Sequence, residues 1–397
     1  MVDNGRLLAS ELRTALALAG IFFVRMLGLF MLLPVLALYL DRLVGATPLL
    51  LGAAIGIYGF TQAALQIPLG RWSDRIGRKP IITGGLLVFA AGGVLAALTG
   101  HIYPIIAGRA VQGAGAISGT MLALAADNTR PEQRTKVMAI IGISIGVSFS
   151  VAFVLGPIID AWIGLTGLFW VAAILGILAL PILWFVVPDS AATTAELPIS
   201  ERSALARPTT RLAALFAGVF CLHGILAASF IAIPLMLRND LGLDPARHYT
   251  MYLPVLIISL LCVGPLIKLS HRDALALPLF RMAIICLLVG EAMLWIAPAT
   301  NVIVGIALIS FFVGFNYLEA SLPSMVSQAA PDIGRGAALG TYSMAQFMGM
   351  FVGGLAGGGL YGVAGYTNVF GAAALAALLW LAHTLVIPVR DRDQPTV

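Results

Sequence analysis

Runs of about twenty apolar residues recur along the whole chain, each long enough to cross the ~30 Å hydrocarbon core of a bilayer as a helix. Hydrophobic residues fill 60% of the 397 positions and charged residues only 10%, whereas an ordinary soluble domain is about a quarter charged. No stretch alternates apolar and polar residues as a strand between lipid and lumen would, which argues against an outer-membrane barrel. In lipid every backbone group has to be satisfied within its own segment, so the runs are read as helices. The expected fold class is an all-α integral membrane protein.

Twelve spans fit the pattern, over 14–40, 48–70, 80–100, 102–126, 137–161, 167–187, 211–238, 249–269, 277–297, 302–327, 337–363 and 367–388. The first run is too long for a cleaved signal and is read as the first span. With the N-terminus inside, 18 Lys and Arg fall on the inner side and only Arg42, Arg238 and Arg247 on the outer. This bias predicts that both termini are cytoplasmic. It also explains the net charge of +5 without a nucleic-acid partner.

The longest polar stretch lies between spans six and seven. It divides the chain into an N-terminal bundle (1–187), a cytoplasmic linker (188–210) and a C-terminal bundle with a short tail (211–397). The halves look like repeats. A shift of 198 lays Gly142, Phe149, Phe153 and Gly156 on Gly340, Phe347, Phe351 and Gly354, and a shift of 200 lays Leu33-Pro34 on Ile233-Pro234. A six-plus-six duplication is the layout of two-bundle secondary transporters. Cys221, Cys262 and Cys286 all sit in apolar runs and read as small core residues. No metal-ligand spacing, nucleophile elbow or phosphate loop is present, so no enzyme activity, metal or cofactor is expected.

Charges inside spans carry most of the functional information, because each is costly unless paired or watered. Five lie deep: Arg25, Arg109, His223, Glu291 and Glu319. A mid-span Arg25 cannot snorkel, so it is read either as a cavity residue or as a structural cation tied to a neighbouring helix. His223 holds the related place in span seven and titrates in a range that suits proton coupling, although a membrane histidine can also be a simple interhelical donor. Asn316 and Tyr317 lie on the same side of the helix as Glu319 and Ala320, giving a polar stripe, with Pro323 weakening the helix just beyond. Glu319 is the first choice for a protonation site. Glu291 stands near Trp295 at the outer end of span nine and reads as readily as an interfacial carboxylate. The glycines at small-xxx-small spacing in spans four and eleven read as close-packing seams.

One polar knot interrupts the apolar pattern early, Gly70-Arg71-Trp72-Ser73-Asp74-Arg75-Ile76-Gly77-Arg78-Lys79-Pro80. It resembles motif A of the major facilitator superfamily, in which Gly70, Asp74, Arg75, Gly77, Arg78 and Lys79 match the loop between the second and third helices. Arg109-Ala-Val-Gln112-Gly113 is similar to motif B, with Arg109 and Gln112 at its polar positions. Within the superfamily the chain resembles drug:proton antiporters, and most of all the YajR-type branch of bacterial inner-membrane transporters. Arg25-Met-Leu-Gly28, Ile55-Gly-Ile-Tyr-Gly59 and Glu319-Ala-Ser-Leu-Pro323 carry that likeness. Span five departs from the antiporter motif: Asp160 follows Gly156-Pro157, and Ala152 stands where a glycine is usual.

The resemblance implies twelve helices in two pseudo-symmetric six-helix bundles, with spans one, four, seven and ten lining a central cavity. Those spans hold Arg25, Arg109, His223 and Glu319. The expected activity is alternating-access transport, as proton-coupled efflux of an amphipathic or hydrophobic small molecule. The expected partners are the bilayer, that substrate and protons, and the expected state is a monomer. A symporter or facilitator for a small organic anion is the alternative, and a non-transporting membrane sensor a more distant one. Asp74 and Arg78, with Asp127 at the end of span four, are expected to latch the cytoplasmic side closed.

Overall fold

The computed structural model describes residues 7–189, 209–270, 272–330 and 335–386. Most of the expected linker (190–208 of 188–210) and the tail beyond 386 lie outside the described residues. Every named element is helical, and the described residues add only an isolated bridge between Val44 and His101. Ten helices among them are long and apolar enough to cross a membrane. The residues cluster into two compact units, one of Met1–Ala46 and Ile57–Glu196, the other of Thr47–Gly56 and Leu197–Val397.

Unit 1 begins with α1 (Ala9–Phe30), which passes through a short α2 (Leu33–Leu36) at Pro34. Next come α3 (Pro48–Ile76), whose first turns cluster with unit 2, and α4 (Arg78–Ala97). The fourth apolar run is not one helix. It breaks into α5 (Ile102–Ala114) and α6 (Ser118–Asp127), and at 13 and 10 residues neither could cross 30 Å at 1.5 Å per residue. The fifth and sixth runs follow one another over α7 (Arg134–Phe185), as two helices that meet at a kink at Gly164 (φ 66°, ψ −177°). α1 and α4 both pack along α7, and α4 also packs on α5.

Unit 2 holds α8 (Thr210–Asn239), α9 (Tyr249–Ser270), α10 (Asp273–Ile296), α11 (Asn301–Ala329), α12 (Arg335–Ala364) and α13 (Thr367–Val386). Thr209 Oγ1 caps α8 by accepting from Leu212 N, and Thr300 Oγ1 caps α11 by accepting from Ile303 N, both at 3.3 Å; each satisfies one orphan donor of a helix start. α8 lies along α12 at close range. A Cβ on Gly349, Gly353 or Gly357 would strike the backbone of Phe220, Gly224 or Ala228. The small-residue spacing in this run therefore does serve close packing. One expectation fails here: Cys262 is exposed on α9 rather than set in the core, as a small apolar residue on a lipid-compatible face can be.

Gly164 has a backbone conformation that is essentially confined to glycine, at a cost of about 1–3 kcal/mol for other residues. Gly164→Ala is therefore expected to lower the thermal-unfolding midpoint in detergent. Gly142→Ala, with nothing within 4 Å of its would-be Cβ, should leave the midpoint unchanged or raise it.

Candidate functional site

The break between α5 and α6 is what makes room for Arg25. Gly115 and Ile117 leave the helical ladder, and the freed Gly115 carbonyl accepts from Arg25 Nη2 at 3.2 Å. Ser118, first residue of α6, accepts from Nη1 at 2.9 Å. From α3, Tyr58 Oη and Gln62 Oε1 each accept from Nη2 at 2.8 Å. The guanidinium also lies 5.7 Å from the Phe89 ring. Arg25 has no exposed surface, and all four acceptors are neutral. A buried charge costs several kcal/mol unless its hydrogens are matched, and here a helix break supplies part of the match.

Arg109 is 2% exposed and donates to Gln112 Oε1 at 3.1 Å, one turn along α5. Its guanidinium stacks 5.0 Å over the ring of Tyr58, so the phenol that accepts from Arg25 is also the platform for Arg109. The two arginines and Gln112 thus form one buried cluster within unit 1.

At the other feature of unit 1, α3 stops at Ile76 and α4 starts at Arg78. Between them Gly77 (φ 97°, ψ 154°) makes a turn closed to other residues. Arg78 faces two carboxylates, with Nη1 2.5 Å from Asp74 Oδ1 and Nε 3.1 Å from Asp127 Oδ2. Its Nη1 also donates to Ser73 Oγ at 2.6 Å, and that hydroxyl donates to the Gly70 carbonyl at 2.6 Å. Lys79 pairs with Asp189 at 2.8 Å and lies 5.5 Å from the Trp184 ring. Arg75 stands in the last turn of α3.

In unit 2 the sequence-selected His223 and Glu319 come together. His223 Nε2 lies 3.5 Å from Glu319 Oε2, and Gln346 Nε2 lies 2.8 Å from the same imidazole nitrogen and 3.4 Å from Glu319 Oε1. Phe315 presents its ring edge to the imidazole at 5.8 Å. The His223 side chain is 5% exposed, that of Glu319 32%. Asn316 and Tyr317 do not join the carboxylate. Asn316 Nδ2 donates to Ser259 Oγ on α9 at 3.2 Å, and the Tyr317 ring is buried. Gln346 escaped the sequence reading because a neutral amide in a Gly- and Met-rich helix carries no burial signal comparable to a charge.

The interfacial reading of Glu291 is overturned. Its carboxyl has no exposed surface and sits 2.5 Å from Ser229 Oγ on α8. Trp295, one turn on along the same face and in the last turn of α10, stays 47% exposed.

Against this geometry, the family model of the Major Facilitator Superfamily matches residues 18–333. The chain belongs to that superfamily. It is 43% identical over 387 residues to the inner membrane transport protein YajR of Escherichia coli K12, covering 96% of this chain and 84% of that protein. It is 30% identical over 155 residues to the class E tetracycline resistance protein of E. coli, covering 38% and 37% respectively. Among solved structures it resembles a bacterial homologue of the human lysosomal transporter Spinster in an inward-facing, occupied conformation. That likeness has a TM-score of 0.77 at 13% identity, over 96% of this chain and 97% of that one, and it establishes the fold. The superfamily member described here is thus a membrane transporter by family.

Arg25→Lys is expected to destabilise the protein by about 2–4 kcal/mol, because an ammonium cannot span four acceptors and leaves buried groups unpaired. The thermal midpoint of purified protein checks it, with Arg13→Lys at the exposed start of α1 as control.

Proposed function

We propose that this chain is a secondary active transporter that couples proton entry to export of an amphipathic small molecule. The observation that supports it is the contact of His223, Glu319 and Gln346 inside unit 2: an imidazole and a carboxylate close enough to trade a proton, with the carboxylate partly open. Proton and substrate would compete for Glu319, so that release of the proton toward the cytoplasm leaves the carboxylate ready for the next cycle. The stretch shared with the tetracycline resistance protein favours export. In this reading α5 and α6 form one broken crossing and α7 two crossings around Gly164. That gives twelve helices in two six-helix bundles, acting as a monomer in the cytoplasmic membrane with both termini inside.

The Asp74–Arg78–Asp127 contact supports a cytoplasmic latch in the same proposal. Arg78 holds the end of α3 and the end of α6 to the start of α4, and protonation of either carboxylate would loosen that grip. Asp74, the more exposed of the two at 55% against 22%, is free to reach a further partner. Arg75, Gly70 and Gly77 shape the turn, and Lys79 ties it to Asp189.

A second reading has its own observation. Ser118, Tyr58, Gln62 and the Gly115 carbonyl, which accept from Arg25, are all neutral, so its guanidinium offers a positive charge within unit 1 that suits an organic anion. Thermal-shift screening of organic anions against lipophilic cations separates the readings. Stabilisation by cations alone supports the first, and by anions alone the second.

In liposomes loaded with a pH-sensitive dye, Glu319→Gln is expected to abolish substrate-driven proton flux; full retention would defeat the proton-coupling proposal. Asp74→Asn is expected to change the labelling rates of single cysteines placed at the ends of α4 and α6. Equal rates and unchanged transport would remove the latch.

A further inference from the structure

We infer that Gln346 is a positioning residue of the proton site: its amide holds His223 in the neutral form that accepts at Nε2. The inference rests on the reading of His223 and Glu319 as the proton site, and goes beyond it by assigning a third residue and a direction of effect.

The hydrogen count fixes the arrangement. His223 Nδ1 lies 3.2 Å from the Val219 carbonyl oxygen, which can only accept, so Nδ1 carries a hydrogen. In the neutral imidazole Nε2 is then a bare acceptor. Gln346 Nε2 is 2.8 Å from that nitrogen and 3.4 Å from Glu319 Oε1, an acceptor as well. Two acceptors on one amide end require its NH2, so the orientation follows from chemistry and not from a choice between indistinguishable atoms. Turning the amide to receive a proton-bearing Nε2 would point its oxygen at the Glu319 carboxylate. The amide is therefore pinned by Glu319 in the orientation that disfavours a proton on His223.

Few other groups bear on the imidazole. On α11 the facing charge is Glu319, 3.5 Å away. On α12 Tyr342 sits one turn before Gln346, 5% exposed, with a hydroxyl that makes no hydrogen bond. α13 packs along α8, and its one charged-type residue is His383. Cys221 Sγ meets the Ala376 carbonyl, which sets His383 about 13 Å further along the antiparallel axes from His223 at 1.5 Å per residue. On α10 Glu291 is engaged with Ser229, roughly 9 Å along α8 from His223 by the same rise.

Gln346 reaches His223 because α12 and α8 touch backbone to backbone at Gly349 and Gly353, one and two turns beyond it. A slide of α12 along α8 would withdraw the amide and release Nε2 to take a proton. Proton affinity would thus follow helix position, as coupling between protonation and conformation demands.

The test is a titration of ¹³C-histidine-labelled protein in lipid nanodiscs by NMR, with His223→Asn identifying the His223 signal. In Gln346→Leu, or Gln346→Met should the first variant fold poorly, the imidazole is expected to keep its proton to higher pH. The expected rise is about one pH unit, or tenfold in proton affinity, the size of one lost hydrogen bond. Tyr342→Phe, which changes the same helix face without touching the donor, is expected to leave the midpoint in place. An unmoved or lowered midpoint in both Gln346 variants overturns the inference, as does an equal rise in Tyr342→Phe. The midpoint is read without transport. A rise in a protein whose Glu319→Gln variant still carries protons would therefore keep this assignment and remove the coupling proposal.

Discussion

The Arg25 guanidinium has no exposed surface, and several elements of unit 1 supply acceptors in place of water. Tyr58 and Gln62 come from α3, Ser118 from the start of α6, and the Gly115 carbonyl from the gap before it. That gap is a fault in a run that could otherwise be one helix. An interior helix break normally leaves backbone groups unpaired in lipid; here the Gly115 carbonyl accepts from both Ile117 N and the Arg25 guanidinium. The glycines around the break also let α4 come close, since a Cβ on Gly115 would strike the Gly85 carbonyl. Charge burial and backbone geometry in this unit are two sides of one constraint.

The broad architecture was legible because hydrocarbon is a demanding solvent. Run length and the distribution of Lys and Arg depend on single segments, and both can be read without knowing any neighbour. The motif-A turn was legible for a similar reason: Gly77 takes a backbone shape closed to other residues, and its charges are adjacent in sequence, so Arg78 meeting Asp74 one turn back and Asp127 required little tertiary knowledge. His223 and Glu319 were each marked by the cost of burial, and the structure brings them together.

What escaped depends on helix rotation and on neutral partners. Glu291 could not be oriented from sequence, since Trp295 four residues away suggested the rim while the carboxyl points at Ser229. Asn316 shares a helix face with Glu319 by spacing, yet its amide turns to Ser259 on α9. Gln62 and Gln346 carry no charge, so nothing about them stood out, and Tyr58 was marked only as part of Ile55-Gly-Ile-Tyr-Gly59, with no role attached. The division of the fourth apolar run turned on the backbone around Gly115, whereas the kink at Gly164 falls between the expected fifth and sixth spans.

The Ser229–Glu291 contact has a consequence for α8 as a mechanical part. Ser229 Oγ lies 2.8 Å from the Ile225 carbonyl as well as 2.5 Å from Glu291 Oε1. The hydroxyl donates toward both oxygens, so one short side chain ties the α8 backbone to the carboxyl on α10. This contact clasps the middle of α8 to α10. His223 lies nearly two turns toward the N-terminal end of the same helix. Any shift that a changing charge at His223 imposes on α8 meets this contact less than two turns on, and would have to stretch it or carry α10 along to pass further down the helix.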